Sequence, residues 1–321
     1  NYLVDQHTKN FGAFLQSDWA ILPNVDLLSG VRFDKHNLVD TPLFSPRVAL
    51  LYKYKENTQF RFSYGTGFRA PQAFDTDLHI AFSGGGVSRV IYDPNLFEER
   101  SESFSTSINY DKATEKFIAG FTLEAFYTKL NDAFVLENIG EDEFGEIFEK
   151  QNGSDARVKG LTLELRANFN RKLQLETGFT LQTSEYDEAV VYIDGVAPTT
   201  TFLRTPNQYG FGMATFTPTK NWNINLNYVY TGTMELAHFA GAPNQKIDEM
   251  VETSPFWELN TKIGYLIQNE NLGFDLEIYG GIKNIFNEYQ DDFDIGKNRD
   301  SNYIYGPALP RTFFIGLRLF N

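Results

Sequence analysis

From Trp222 to Tyr230 the chain reads WNINLNYVY, with Trp222, Ile224, Leu226, Tyr228 and Tyr230 bulky and apolar and Asn223, Asn225 and Asn227 polar. Period-two alternation of this kind puts the two sets on opposite faces of a β-strand. The pattern recurs from end to end in about thirteen segments, most of about nine to thirteen residues, where strands of ordinary sheets have about five or six. One face carries Phe11, Ala13, Leu15 and Trp19, then Leu27, Val31 and Phe33, then Val48, Leu50 and Tyr52, then Phe60, Phe62 and Tyr64. Further on it carries Phe104, Ile108 and Tyr110, Leu123, Ala125 and Tyr127, Leu161, Leu163 and Leu165, Leu175, Phe179 and Leu181. The last segments contribute Tyr209, Phe211 and Met213, the Trp222 strand, Trp257, Leu259, Ile263 and Tyr265, Leu276 and Ile278, and Phe313, Ile315, Leu317 and Leu319. Opposite them stand Gln16, Asp18, Arg32, Asp34, Arg61, Glu124, Glu164, Arg166, Glu176, Lys262, Glu277 and Arg318. One face suits lipid or a core, the other water.

The connections alternate too. LPN, KYKENT, DKATEK, NRK, TPTKN and IQNEN are short and rich in turn formers. Between them lie connections of roughly 8 to 34 residues, near 35–42, 66–99, 129–156, 184–203, 232–255 and 286–309, beyond the about two to five usual in a hairpin. Short turns on one side and long loops on the other predict an all-β, antiparallel up-and-down meander with two different surroundings. A transmembrane β-barrel has these strand lengths, these aromatic faces and this one-sided loop pattern. Barrels of one bacterial chain have even strand numbers, so thirteen strands predict that 1–321 is the C-terminal part of a larger barrel domain.

Composition supports the β reading and removes several functions. Phe (30) and Tyr (17) are abundant and Cys is absent, so there is no disulfide framework, thiolate metal site or Cys nucleophile. A cysteine-free chain fits passage through an oxidising space. The net charge of −14 and the lack of a basic stripe argue against nucleic acid as a partner. No run of about 18 apolar residues is present, so no transmembrane helix is expected. No nucleophile motif appears and the histidines fall on connections rather than strand faces, so the chain is not read as an enzyme.

YGTGFRAP (64–71) and DPNLFEERSESFSTSINY (93–110), with FLQSDW, SGVRFDKHN, FSPRVALLYKY, GIKNIFNEYQ and the ending LPRTFFIGLRLF, resemble the TonB-dependent outer-membrane receptors in order along essentially the whole chain. The resemblance implies a barrel of about 22 strands filled by an N-terminal plug, of which the plug and about nine strands would precede this chain. It implies location in the outer membrane of a Gram-negative bacterium and energy-driven import of a scarce, large solute, an iron complex such as haem or a ferric siderophore. Its partners would be outer-membrane lipid and lipopolysaccharide, the TonB complex acting through an N-terminal TonB box, and a surface lipoprotein in some relatives. No intrinsic cofactor is implied; the iron complex or haem is the transported ligand. Alternatives are a cobalamin, glycan or peptide receptor of the same family, or a passive outer-membrane channel.

Within the family, a Phe-Arg-Ala-Pro box, a His, and an Asn-Pro-x-Leu box resemble haemin receptors. Here stand Phe68, Arg69, Ala70 and Pro71, then His79, then Pro94, Asn95 and Leu96, the second box departing to Asp-Pro-Asn-Leu. A purely structural reading of the first box is equally open, because Pro71 ends strand pairing and Gly65 and Gly67 loosen the strand exit. All four histidines, His7, His36, His79 and His238, fall in long connections, and imidazole ligates haem iron. His79 is the candidate iron ligand, Arg69 and Arg89 candidates for anionic groups, and Tyr92 for stacking or ligation. Asp291, Asp292 and Asp294 are weak candidates for Ca²⁺, set against a reading of EDEFGE and DDFDIG as solvated loop charge. SGGG (83–86) precedes no helix and reads as a loop tip rather than a phosphate cradle.

Overall fold

The computed structural model describes residues 6–71, 89–142, 145–268, 273–297, 299–300, 303–307 and 309–320. Its strands are β1 (Asn10–Leu22), β2 (Val25–His36), β3 (Leu43–Lys55), β4 (Thr58–Arg69), β5 (Arg89–Tyr92), β6 (Glu99–Ala113), β7 (Phe117–Asn131), β8 (Phe134–Asp142), β9 (Gly145–Asn152) and β10 (Ala156–Phe169). There follow β11 (Leu173–Val190), β12 (Thr199–Thr201), β13 (Gln208–Phe216), β14 (Trp222–Thr231), β15 (Glu235–His238), β16 (Glu249–Glu252), β17 (Phe256–Ile267), β18 (Asp275–Lys283) and β19 (Thr312–Phe320). One fourteen-stranded sheet runs β1-β2-β3-β4-β6-β7-β10-β11-β13-β14-β17-β18-β19, with β12 pairing β11 beside that path. Each neighbouring pair along the path is antiparallel. Thirteen strands in an up-and-down meander match the periodicity.

The short connections all fall at one end of the sheet. In the β10–β11 turn Asn170 and Arg171 take left-handed φ values of 51° and 60°, as a tight reversal between twisted strands requires. The long connections fall at the other end and carry structure of their own: β5, β8 and β9 form a three-stranded sheet and β15 and β16 a hairpin. Strands of four residues such as β5, β15 and β16 are too short to show a period, and β8 and β9, of nine and eight residues, carry no regular apolar alternation in ENIGED and GEIFEKQN.

Register sorts the side chains. Leu27, Leu50, Phe62, Thr106, Ala125, Leu161 and Leu181 lie side by side across seven strands. One residue away, Leu51, Arg61, Ser107, Glu124, Thr162 and Thr180 line the opposite face. Aromatic pairs border the apolar face. At the short-turn end are Tyr52–Phe60, Phe117–Phe169 and Trp222–Tyr265, with centroids 6.2, 5.0 and 4.8 Å apart. At the long-loop end are Phe33–Phe44 and Tyr230–Trp257 at 5.2 and 4.5 Å. Trp222 and Tyr230 are eight steps apart on β14, about 27 Å along the strand, or about 20 Å once a tilt of about 40° is allowed for.

One strand departs from its expected phase. Tyr209, Phe211 and Met213 of β13 sit on the polar face, where Met213 pairs with Glu176 and Asn227. The apolar face of β13 is instead Gly210, Gly212 and Ala214, because rings from the neighbouring strands occupy the space: Phe179 lies over Gly210 and Tyr228 over Gly212. Phe179 and Tyr230 stack across β13 with centroids 6.0 Å apart. A strand of glycines under aromatic rings reads from sequence as though its own large residues were the apolar set.

β1 pairs only β2 and β19 only β18 among the described residues, so the sheet is open. Its fully buried apolar residues cluster at the long-loop end. Val39, Leu43 and Ala70 pack there with Phe68, and Ile193, Met234, Leu236, Ala242 and Tyr303 are buried among the loops.

Candidate ligand-capture site on the loop side

Two clusters build the long-loop end. The first grows from the Phe-Arg-Ala-Pro box at the exit of β4, where Ala70 and Pro71 are buried and Phe68 packs against the cluster of Val39, Leu43 and Ala70. Arg69 points its Nη2 at Glu99 Oε2, 3.2 Å away, and lays its guanidinium 4.7 Å from the Phe134 ring centroid. Lys150, buried in the second half of β9, places its Nζ 4.9 Å from the same ring. Glu99 Oε2 also accepts the Phe134 N–H at 3.0 Å. Arg69 therefore joins the start of β6 to the small sheet, and its charge is met by the chain itself. Cation–π contacts and a paired carboxylate make this a junction more than an open anion site.

The Asp-Pro-Asn-Leu box forms the return into β6. Asp93 Oδ1 accepts the Asn95 N–H at 2.7 Å and Asp93 O accepts the Leu96 N–H at 2.9 Å, an Asx-type turn through Pro94. Asn152 then binds both backbone groups of Phe97, at 3.0 and 3.2 Å. Arg89 and Tyr92 open and close β5, which runs parallel to β9, Arg89 opposite Ile147 and Tyr92 opposite Lys150. His79 and the SGGG segment lie outside the described residues.

The second cluster unites three long connections. In the β15–β16 hairpin, His238 stacks on Tyr303 with ring centroids 3.5 Å apart and planes at 1°. Its Nε2 lies 3.1 Å from both oxygens of Asp294, and all three side chains are buried. Asp294 also accepts the Asp300 N–H at 3.1 Å and Asn244 Nδ2 at 3.3 Å. Asp300 in turn accepts the Phe239 N–H at 3.1 Å. Arg204, at φ 59°, donates its N–H to Glu235 O at 2.9 Å and its Nη1 to Ile304 O at 2.8 Å, tying the β12 connection to the other two. Desolvation lowers the Arg204 pKa from its ordinary value.

Of the three candidate Ca²⁺ carboxylates, Asp291 is exposed, and Asp294 is held as described. Asp292 Oδ2 accepts the hydroxyls of Tyr303 and Tyr305, each at 2.8 Å. Burial first, then that carboxylate, pushes Tyr303 above the ordinary tyrosine range and Tyr305 up to about 12. Among the described residues no three His, Asp or Glu side chains converge as a metal ion would need. The pairing of His238 with Asp294 spans 56 positions and carries no local motif, so sequence reasoning found each residue without the pair.

Beneath the loops the polar face is lined with amides and paired charges. Asn260 Nδ2 donates to Asn227 Oδ1 at 3.0 Å, Thr215 Oγ1 to Asn225 Oδ1 at 3.0 Å, and Asn225 to Asn223. Arg166 grips Asp111 through Nε and Nη2, both at 2.8 Å. The asparagines of WNINLNYVY thus form a hydrogen-bonded rank on a wet wall.

Long antiparallel strands, an aromatic-bordered apolar face, a wet opposite wall and consolidated loops on one side define the class of transmembrane up-and-down β-barrels. The chain belongs to the family described as TonB dependent receptor-like, beta-barrel, whose model matches residues 1–285. A comparison with curated protein sequences finds no match. Solved structures share the fold. The siderophore receptor PirA from Acinetobacter baumannii superposes with a TM-score of 0.70 at 15% identity, over 98% of this chain and 46% of its own. The ferric-catecholate import receptor Fiu from E. coli K12 gives 0.67 at 16%, over 98% and 44%. The copper transporter OprC gives 0.68 at 13%, over 98% and 48%. The chain spans under half the length of each.

Proposed function

We propose that this chain is the loop-bearing part of an outer-membrane receptor that imports an iron complex, haem or a ferric siderophore, under the drive of the TonB complex. The observation that carries the reading is the pair of consolidated loop clusters above an amide-lined wall, a capture surface leading to a wet passage. The apolar face with its two aromatic borders meets membrane lipid, lipopolysaccharide included. In that reading His79, Arg89 and Tyr92 are the capture residues, a long loop being where binding groups gather on a rigid scaffold. Arg69 supports them from its junction with Glu99 and Phe134.

The experiment is uptake of radioactive iron, as haemin and as ferric siderophores, by iron-starved cells with and without the full-length gene. Loss of uptake of one complex in the deletion strain, and equally in a strain without TonB, is the expected result; unchanged uptake of every iron complex overturns the reading. His79→Ala in the full-length receptor is expected to weaken haemin binding about tenfold. Undiminished binding removes haem and leaves siderophores. Copper is a second cargo to include, since OprC shares the fold.

A further inference from the structure

A groove of about 490 Å³ indents the apolar face between β3 and β7, within the range of about 300–1,000 Å³ usual for small-molecule sites. Thr106 and Ala125, side by side in register, are the small residues of its lining that share the row of Leu50 and Phe62, and Leu50, Phe62, Phe104 and Tyr127 are among its walls. Elsewhere the same row is filled by Phe62 and four leucines, Leu27, Leu50, Leu161 and Leu181, so the hollow comes from these two short side chains. It lies in the aromatic-bordered band, continuous with the surface that meets lipid in the reading above, on which this inference rests.

The long-loop side of the groove carries charge. Tyr127 pairs in register with Lys159 of β10, one row beyond Ala125 and Leu161, about 7 Å further along the strand. Lys159 is exposed and flanked in its row by Tyr127 and Thr183. It has no ion pair among the described residues. The next row holds Glu102, Lys129, Arg157 and Glu185. There Lys129 is taken by Asp155 at 2.6 Å and Arg157 by Asp187 at 2.7 Å. Lys159 is therefore the cation left for an outside anion, one row beyond the apolar run of Leu161, Leu163 and Leu165 on the same face of β10.

We propose that this groove seats one acyl chain of a phosphate-bearing lipid of the outer leaflet, with Lys159 meeting its phosphate. A flat apolar belt exchanges acyl chains freely. A hollow walled by rings gives one chain contacts on three sides, and each methylene gains dispersion contacts that the flat surface lacks. A lysine ammonium adds attraction for an anionic headgroup at the interface.

The test uses the full-length receptor reconstituted in phosphatidylcholine vesicles doped with lipid A, then extracted gently and weighed by native mass spectrometry. One retained lipid A is expected on the parent. Filling the hollow with Ala125→Trp, or more mildly with Thr106→Leu, should reduce retention about tenfold, while Leu163→Trp, on the same face outside the groove, should not. Lys159→Gln should reduce retention of bisphosphorylated lipid A and leave dephosphorylated lipid A unaffected. Retention at the parent level in both groove variants overturns the site, and an unaltered Lys159→Gln overturns the phosphate contact. Flotation separates the two readings: a parent that enters vesicles but retains no lipid A overturns this inference alone, and one that fails to enter them overturns the membrane reading as well.

Discussion

The ring of Tyr228 covers Gly212 on the adjacent strand, and its hydroxyl lies 2.6 Å from Thr177 Oγ1 two strands away. One side chain thereby bridges β11, β13 and β14 on the apolar face, and its polar end finds a partner within that face. A Cβ placed on Gly212 would fall 2.1 Å from the Tyr228 ring. The glycine is required by that close approach.

Gly212→Leu should therefore destabilise the full-length barrel by about 1–3 kcal/mol through overpacking, and Tyr228→Phe by about 1 kcal/mol through the lost hydrogen bond. Urea-induced unfolding in vesicles measures both. A Gly212→Leu protein as stable as the parent would contradict the ring placement.

Facing can be tested one residue at a time. Arg in place of Ala214 or Leu226 should cost about 2–4 kcal/mol, and Arg in place of Met213 or Asn225 much less. The Met213 result discriminates most sharply, since alternation alone places Met213 among the apolar set. A costly Met213→Arg with a cheap Ala214→Arg would restore the phase read from sequence.

Asp294 joins two connections. Asp294→Ala leaves the His238 ring, Asn244 and the Asp300 N–H without their acceptor, and local stability should fall by about 1–3 kcal/mol. Hydrogen exchange should accelerate in 232–255 and 286–309 together, with 37–42 unchanged. Acceleration in only one of the two segments would dissolve the weld.

The Asp292 tyrosines supply a pH dependence. A tyrosine ordinarily titrates near about 10, and Tyr305 is pushed up to about 12 with Tyr303 raised as well. A raised folded-state pKa contributes stability that is fully present below about 10 and is lost as pH rises through the folded value. Exchange in 286–309 should thus increase between pH 10 and 12. Of the late-titrating tyrosines seen by tyrosinate absorbance, the two that touch Asp292 should move earlier in Asp292→Asn; an identical titration in the variant would refute the contact.

Much of the architecture was legible because a half-buried strand writes its facing into every second residue. The thirteen strands of the meander and the sidedness of the loops follow from that period and from turn residues such as Asn170. β13 was misread because its phase is set by Phe179 and Tyr228, on neighbouring strands that no local window contains. Of the site, the box residues were visible, yet their structural duties were not: Arg69 meets Glu99 thirty positions away and Phe134 further still. The buried His238–Asp294 pair is a product of loop packing, and packing between distant segments leaves no periodic trace.

The weld among the β12, β15–β16 and 286–309 connections makes three loops into one plate. On such a plate a change of loop length in one member strains the other two. Variation of the outer surface is then more readily reached by exchanging outward side chains, such as Ile247, Ile295 and Ile304, all of which are exposed. The outer surface of the plate can vary like lettering on a fixed signboard, its frame held by buried side chains such as His238, Asp294 and Tyr303.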